Sequence, residues 1–354
     1  MTSDVLKIVG TCDRRLFGLA PAERLRRQLK AGQQNLVVAD ASAVLSDPTL
    51  AWLLDHPRTI LTSPAGRPLA VAVPPGETEA AEAALAGGGS GFECANPSTL
   101  PAQFVRKLRR RDQLLALSLD EQPVAKIERE VFGNVYKGVT DAVTKWVWPE
   151  PAFHLVRGLS RLKVTPNMVT LVGLALTFVA AILFYRGDLW GGMAAAWGMT
   201  FLDTVDGKLA RTTVTSSRGG DLLDHVTDYV HPPIWWYCLA AGLALHAPGA
   251  SGIWASCWII LGTYLVGRAV EEIFKSRLGF NQYLWRRFDS RFRLVVSRRN
   301  IILLIMTAGL LVGAGPEAFA VAAAWSVASV LIQSVRLGQA LVARRKAPLS
   351  SWLM

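Results

Sequence analysis

Phe201-Leu202-Asp203-Thr204-Val205-Asp206-Gly207-Lys208-Leu209-Ala210-Arg211, followed eight residues on by Gly220-Asp221-Leu222-Leu223-Asp224-His225-Val226-Thr227-Asp228, is where the reading of this 354-residue chain turns. Asp203 and Asp206 are three apart and Asp224 and Asp228 four apart, so on helices each pair shares a face. Both pairs lie in stretches apolar enough to be membrane helices. Ionised carboxylates are costly there unless they face a wet cavity and meet an opposite charge. A divalent cation is the natural compensator. Oxygen ligands without His or Cys favour magnesium, manganese or calcium over zinc. Gly207 and Gly220 allow a bulky ligand to approach the backbone. Arg211 suits a phosphate oxygen of a bound diphosphate, or simply snorkels to the membrane surface.

Outward from this stretch, residues 168–185 run without charge for about the length that crosses a hydrocarbon core. The same criterion gives five more spans, at 189–211, 220–245, 251–274, 301–314 with its flanks, and 318–335. Six spans place both termini on one side. The connections at 186–188, 246–250 and 315–317 carry almost no Lys or Arg, whereas 212–218, 277–299 and both terminal regions carry nearly all of it. By the positive-inside rule the latter, and both termini, are cytoplasmic. The formal charge of +11 is then a matter of topology, which argues against nucleic acid as a partner. An apolar fraction of 51% is high for a soluble enzyme of this length. Cys12, Cys94, Cys238 and Cys257 are scattered without a CxxC pair, so no disulfide framework or zinc site is expected. The first residues are too soon polar for a secretory signal.

Residues 1–118 read as a small soluble α/β domain, with short apolar runs at 35–39 and 69–73 alternating with charged, helix-like stretches. The run 104–117, holding Arg106, Lys107, Arg109, Arg110 and Arg111, reads as a basic helix suited to anionic membrane lipids, or as a solvated charge run. Residues 119–164 form a linker and juxtamembrane amphipathic helix, where Trp146, Trp148 and Phe153 alternate with Lys145, Arg157 and Arg161. The helical bundle spans 165–338, and 339–354 is a basic tail.

The pattern of Asp203, Asp206, Gly207, Ala210, Arg211, Gly220, Asp224 and Asp228 resembles, at every specified position, the D-x2-D-G-x2-A-R-x8-G-x3-D-x3-D signature of the CDP-alcohol phosphotransferase family. The resemblance covers about 131–335 and includes the Thr165-Pro166-Asn167 turn into the first span. It implies an α-helical membrane protein: a six-helix, dimeric bundle preceded by the soluble α/β domain. It implies transfer of a substituted phosphate from a CDP-alcohol to a hydroxyl, with release of CMP. Asp203, Asp206, Asp224 and Asp228 would hold two divalent cations, Mg2+ or Mn2+, and Asp228 would also take the acceptor's proton. Gly207, Ala210, Arg211, Gly220 and Asn167 would form the nucleotide and diphosphate side.

The segment 139–170 is similar to the juxtamembrane helix of the inositol-phosphate branch. It points to CDP-diacylglycerol as donor and a polyol or polyol phosphate as acceptor, with Arg268, Lys275, Arg291 and Arg298, and Arg299 beside them, as candidate acceptor ligands. All of these also fit as ordinary positive-inside residues. Gly10-Thr11-Cys12-Asp13-Arg14-Arg15-Leu16 resembles an eroded nucleotidyltransferase phosphate loop, in which Cys12 and Asp13 spoil the cradle for an anion. An unrelated small α/β domain is the other reading. Three alternatives to the leading function stand: a CDP-linked small alcohol donor with a lipid hydroxyl acceptor, a proton-coupled transporter and a non-catalytic anchor.

Overall fold

A computed structural model describes residues 5–29, 33–88, 91–215 and 218–354; of residues 218–228 it describes the helix but not the side chains. The chain divides into two compact units. The first comprises residues 1–138, 155–165 and 208–216, and the second comprises 139–154, 166–207 and 217–354.

The first unit is α/β. Its strands are β1 (Leu6–Val9), β2 (Leu36–Asp40), β3 (Ala43–Leu45), β4 (Thr59–Thr62), β5 (Pro68–Val73), β6 (Glu93–Ala95), β7 (Gln103–Val105), β8 (Arg110–Asp112) and β9 (Ala116–Ser118). Its helices are α1 (Pro21–Gln28), α2 (Asp47–Asp55), α3 (Thr78–Leu85) and α4 (Val124–Asn134). Five strands form one mixed sheet in the order β1-β2-β5-β4-β6, and β3-β9 and β7-β8 form two-stranded pairs. Strand residues alternate between two apolar layers. Val37, Ala39 and Leu61 pack with Leu25, Leu50 and Leu53 of α1 and α2. Val38, Ile60, Val71 and Val73 pack with Ala81 and Ala84 of α3. A period of two with both faces covered explains why β2 up to Ala39 and the whole of β5 are apolar, at the places where short apolar runs predict strands.

The basic run 104–117 is not the helix its composition predicts. β7 and β8 pair antiparallel with Gln103 opposite Asp112 and Phe104 opposite Arg111, and β9 pairs with β3. Phe104 and Leu108 imitate a helical spacing, but Arg109 takes φ 52° at the turn, and pairing across the turn wins over local propensity.

The second unit is helical. A π-helical turn (Val143–Val147) leads into α5 (Pro149–Arg161), whose last residues belong to the first unit. Then come α6 (Pro166–Tyr185), α7 (Leu189–Thr212), α8 (Arg218–His246), α9 (Gly252–Leu278), α10 (Arg287–Phe292), α11 (Arg299–Leu311) and α12 (Gly315–Lys346). Residues 208–212 of α7 also fall in the first unit. All six stretches expected as spans are helices. Among the described residues, α6, α9 and α12 are long and apolar enough to cross a membrane. α11 has 13 residues, about 20 Å of helix, short for a hydrocarbon core. The core is built from Phe184, Met199, Trp235, Trp236, Leu239, Leu303, Met306 and Phe319. Leu171, Phe178 and Ile182 of α6, Trp258 and Leu265 of α9, and Val321 and Leu331 of α12 lie exposed. Apolar side chains both inside and outside a helical unit mark an integral membrane protein.

Candidate catalytic site on the signature helix

α7 carries Asp203, Asp206, Gly207, Ala210 and Arg211 in sequence. The Asp203 carboxylate accepts from Arg299 Nη2 at 2.6 Å. The other end of the same guanidinium donates to His231 Nε2 at 3.1 Å, so His231 carries its proton on Nδ1. Arg299 opens α11 and His231 lies on α8, so three helices meet around the first signature aspartate. Asp206, 7% exposed, accepts from Thr170 Oγ1 of α6 at 2.6 Å. Thr170 also donates to Pro166 O one turn back, which ties this carboxylate to the helix opened by Pro166 and Asn167. Asn167 itself is exposed at that end.

Gly220, Asp224 and Asp228 lie in the first turns of α8, and their side chains fall outside the described residues. Two of the four expected ligands are therefore described. Among the described residues no three His, Cys, Asp or Glu side chains gather as a metal group. The described donors nevertheless fit a hard divalent cation: two carboxylates one turn apart, each steered by a neighbour, with no His or Cys on that helix. An aspartate oriented by Thr and another by Arg is the outer-sphere support a carboxylate ligand needs.

A second polar cluster sits at the start of α11. Asp141, 7% exposed, accepts from Thr144 N at 3.0 Å, Thr144 Oγ1 at 2.9 Å and Asn300 Nδ2 at 3.0 Å. Desolvation works to raise its carboxyl, but the Arg293 charge and these hydrogen bonds outweigh it and hold Asp141 below the ordinary aspartate range. Asn300 follows Arg299, so this cluster fixes the end of the helix that steers Asp203. Trp148, just past the π-helical turn, packs its ring 5.1 Å from Phe201 and 6.0 Å from Trp197 on α7. A π-helical turn is rare, and here it delivers Trp148 against the signature helix.

Of the candidate acceptor ligands, Arg299 is the one found on Asp203 instead, and the other four separate. Arg298 forms a close pair with Glu271. Arg268 lies 3.9 Å from the same carboxylate and 4.4 Å from the Tyr229 ring centre. Tyr283 also donates to Glu271 at 2.7 Å, and its phenol is pushed up to about 12, mainly by burial and then by the Glu271 charge. Lys275 instead meets Glu272 at 3.8 Å with both side chains 63% exposed. Arg291 is exposed on α10. Thus Arg268 and Arg298 come together around an acid, while Lys275 and Arg291 stand elsewhere.

In the first unit, the last turn of α7 presents Lys208 and Arg211 to one carbonyl. Val135 O accepts from Arg211 Nε at 3.1 Å and from Lys208 Nζ at 3.2 Å. Lys208 is 3% exposed, and its ammonium lies 3.3 Å above the Tyr136 ring centre, a cation over a π face. The sequence reading missed Thr170 and Val135. A Thr four residues after Pro166 was a legible signal for the first, but a backbone carbonyl leaves none.

Against known families, residues 163–332 match the model for CDP-alcohol phosphatidyltransferase. This segment is a CDP-alcohol phosphatidyltransferase domain. The chain is similar to the archaetidylinositol phosphate synthase of Pyrococcus horikoshii, 36% identical over 80 residues, which are 22% of this chain and 42% of that protein. It is 34% identical over 115 residues to the phosphatidylinositol phosphate synthase of Streptomyces avermitilis, 31% of this chain and 45% of that one. The chain thus spans under half the length of these relatives. Among solved structures, the phosphatidylinositol phosphate synthase of Mycobacterium tuberculosis with CDP-DAG bound is similar at 23% identity with a TM-score of 0.42. That match covers 52% of this chain and 91% of the other. The CDP-alcohol phosphatidyltransferase match begins at 163, so the α/β unit's residues up to 138 lie ahead of it.

Proposed function

We propose that this protein is a membrane phosphotransferase that moves a phosphatidyl group from CDP-diacylglycerol to an inositol phosphate or a related polyol phosphate, releasing CMP. The carrying observation is the complete eight-position signature from Asp203 to Asp228 inside the CDP-alcohol phosphatidyltransferase domain. The names of the similar relatives support the inositol-phosphate acceptor.

In this reading Asp203, Asp206, Asp224 and Asp228 hold two divalent cations, Mg2+ or Mn2+. Such ions, when bound, neutralise the diphosphate and stabilise the departing CMP oxygen. The chain's own groups do the rest. Arg299 and Thr170 keep the Asp203 and Asp206 carboxylates in fixed directions, and Gly207, Ala210, Gly220 and Asn167 leave room for the nucleotide. Arg211 supplies charge to the diphosphate, and Asp228 accepts the proton of the attacking hydroxyl. Arg268 and Arg298, grouped on Glu271, are the better candidates for the acceptor phosphate than the exposed Lys275 and Arg291. The bundle has six spans with both termini cytoplasmic, acts as a dimer, and is limited to 165–338, after the soluble domain (1–118) and linker (119–164).

The test is purified protein in nanodiscs given CDP-diacylglycerol and inositol phosphate. CMP release and a lipid product of the expected mass should need added Mg2+ or Mn2+, stop with EDTA, and vanish in Asp228→Asn. CMP release that proceeds without metal, or a folded Asp228→Asn of wild-type rate, would refute the proposal.

A further inference from the structure

The family match leaves the α/β unit without a task, yet that unit holds the end of α7. Thr212 closes this helix, and the last carbonyls of any helix lack partners within it. Here they are met from α1. Arg24 Nη1 donates to Thr212 O, and Arg27 Nη1 donates to Thr213 O at 3.1 Å. Arg27 is in turn braced by Glu23 Oε1 at 2.9 Å. Two cations at the carbonyl end of a helix also match its dipole. Arg24 is 5% exposed, so it is committed to this contact rather than to solvent.

An independent chain of contacts reaches the same helix from the hairpin β7-β8. Arg110 donates to Gly133 O at 3.0 Å and to Asn134 Oδ1 at 3.2 Å. Gly138 N donates to Leu108 O at 2.8 Å. A Cβ on Gly138 would come within 2.5 Å of the Arg110 Cβ and 3.0 Å of Arg109 O, so only glycine lets the segment lie this close. Residues 133–138 are therefore pinned at both ends, and between them the Val135 carbonyl receives Arg211 and Lys208. Lys208 occupies an unspecified position of the signature, and Arg24, Arg27, Arg110 and Val135 all precede residue 163.

We propose that the α/β unit is a positioning module for the nucleotide end of the signature helix, capping α7 through Arg24 and Arg27 and setting the direction of Arg211 through the Val135 carbonyl. The proposal rests on the CDP-alcohol reading of Arg211. Arg24, Arg27, Arg110 and Val135 are positioning residues, acting through α7 without touching the donor. The basic run at 106–111 thereby acquires a task inside the protein, at least for Arg110.

The experiment uses the full chain in nanodiscs with two readouts. Amide exchange is followed at residues 208–215 and, as an internal control, at β2. Initial rates of CMP release are measured against CDP-diacylglycerol at fixed inositol phosphate, and the reverse. In Arg24→Gln/Arg27→Gln, exchange at 208–215 should quicken about fivefold, the effect of a lost cap. The KM for the donor should rise severalfold, with acceptor KM and β2 exchange unchanged. Arg24→Lys, which keeps a donor, should recover most of both. Unaltered exchange at 208–215, or an unaltered donor KM, overturns the proposal. If the double variant does not fold, the exposed Arg27→Gln decides: faster exchange at 208–215 supports the cap and none refutes it. A wild type that releases no CMP from any CDP-alcohol defeats the functional reading alone, since the exchange arm still decides the capping.

Discussion

Thr170 and Arg299 each hold one signature carboxylate, and their loss should not cost the same. Thr170→Val keeps shape and deletes one donor to Asp206, so the metal concentration for half-maximal CMP release should rise about tenfold, the usual effect of a lost outer-sphere partner. The protein should remain folded, which a melting curve checks. Arg299→Ala removes one partner from each of Asp203 and His231, and breaking a largely buried ion pair costs on the order of 3 kcal/mol. It should therefore lower both melting temperature and activity, a contrast with Thr170→Val that the same two measurements read.

Asp40 offers a titration at the same scale. Burial works to raise its carboxyl, but Ser42 donates to it through Oγ and N, at 2.5 and 2.8 Å, Arg67 adds an ion pair at 3.1 Å, and the net direction is down. A carboxylate lowered on folding stabilises above its unfolded value, near 4, and that stabilisation is lost as pH falls through the folded value. Between pH 6 and 3 the wild-type α/β unit should lose urea resistance more steeply than Asp40→Asn, with β2 amide exchange as the readout. Equal slopes would remove Asp40 from the acid response.

At the scale of elements, α6 shows how an apolar helix serves two surroundings. Phe184 and Ala180 are buried in the core while Phe178 is 60% exposed. An outward Phe in the middle of a spanning helix faces hydrocarbon. Phe178→Arg should thus lower insertion of α6 by about 3 kcal/mol, measured by a glycosylation-mapped insertion assay, whereas Leu61→Ala in the sheet should cost about 2–5 kcal/mol of α/β unit stability and leave insertion unchanged. β7 and β8 teach the converse lesson. Their residues carry a helix-like composition, and only pairing with each other turned them into strands.

Across the whole molecule, Glu128 gathers the first unit. It is 1% exposed, accepts from Phe17 N at 3.2 Å, and pairs with Arg157 at 2.6 Å and Arg161 at 3.8 Å. Gly18, with φ +76°, lies so close to α5 that a Cβ would stand 2.8 Å from Ser160 O. The end of α5 is thereby locked to the loop that follows β1. The loop 10–20, with its resemblance to an eroded phosphate cradle, makes this contact through Phe17 and Gly18. Glu128→Gln should lower the melting temperature more than Arg161→Gln, because it strands the largely shielded Arg157 whereas Arg161 is 55% exposed.

The sequence by itself determined the membrane-length helices and the eight-position signature with its four aspartates. Apolar runs of membrane length and aspartates at spacings of three and four are local properties, and the cost of charge in hydrocarbon makes them readable without coordinates. It could not reveal that Arg268 and Arg298 gather on Glu271, that Arg299 pairs with Asp203, or that 104–117 is extended. Those outcomes depend on which distant residue arrives beside each charge or strand, and pairing energies between remote segments exceed the local preferences a sequence displays. The tertiary structure alone decided which side chains meet the last turn of α7, because a carbonyl such as that of Val135 is the same in every residue and gains meaning only from what is folded against it.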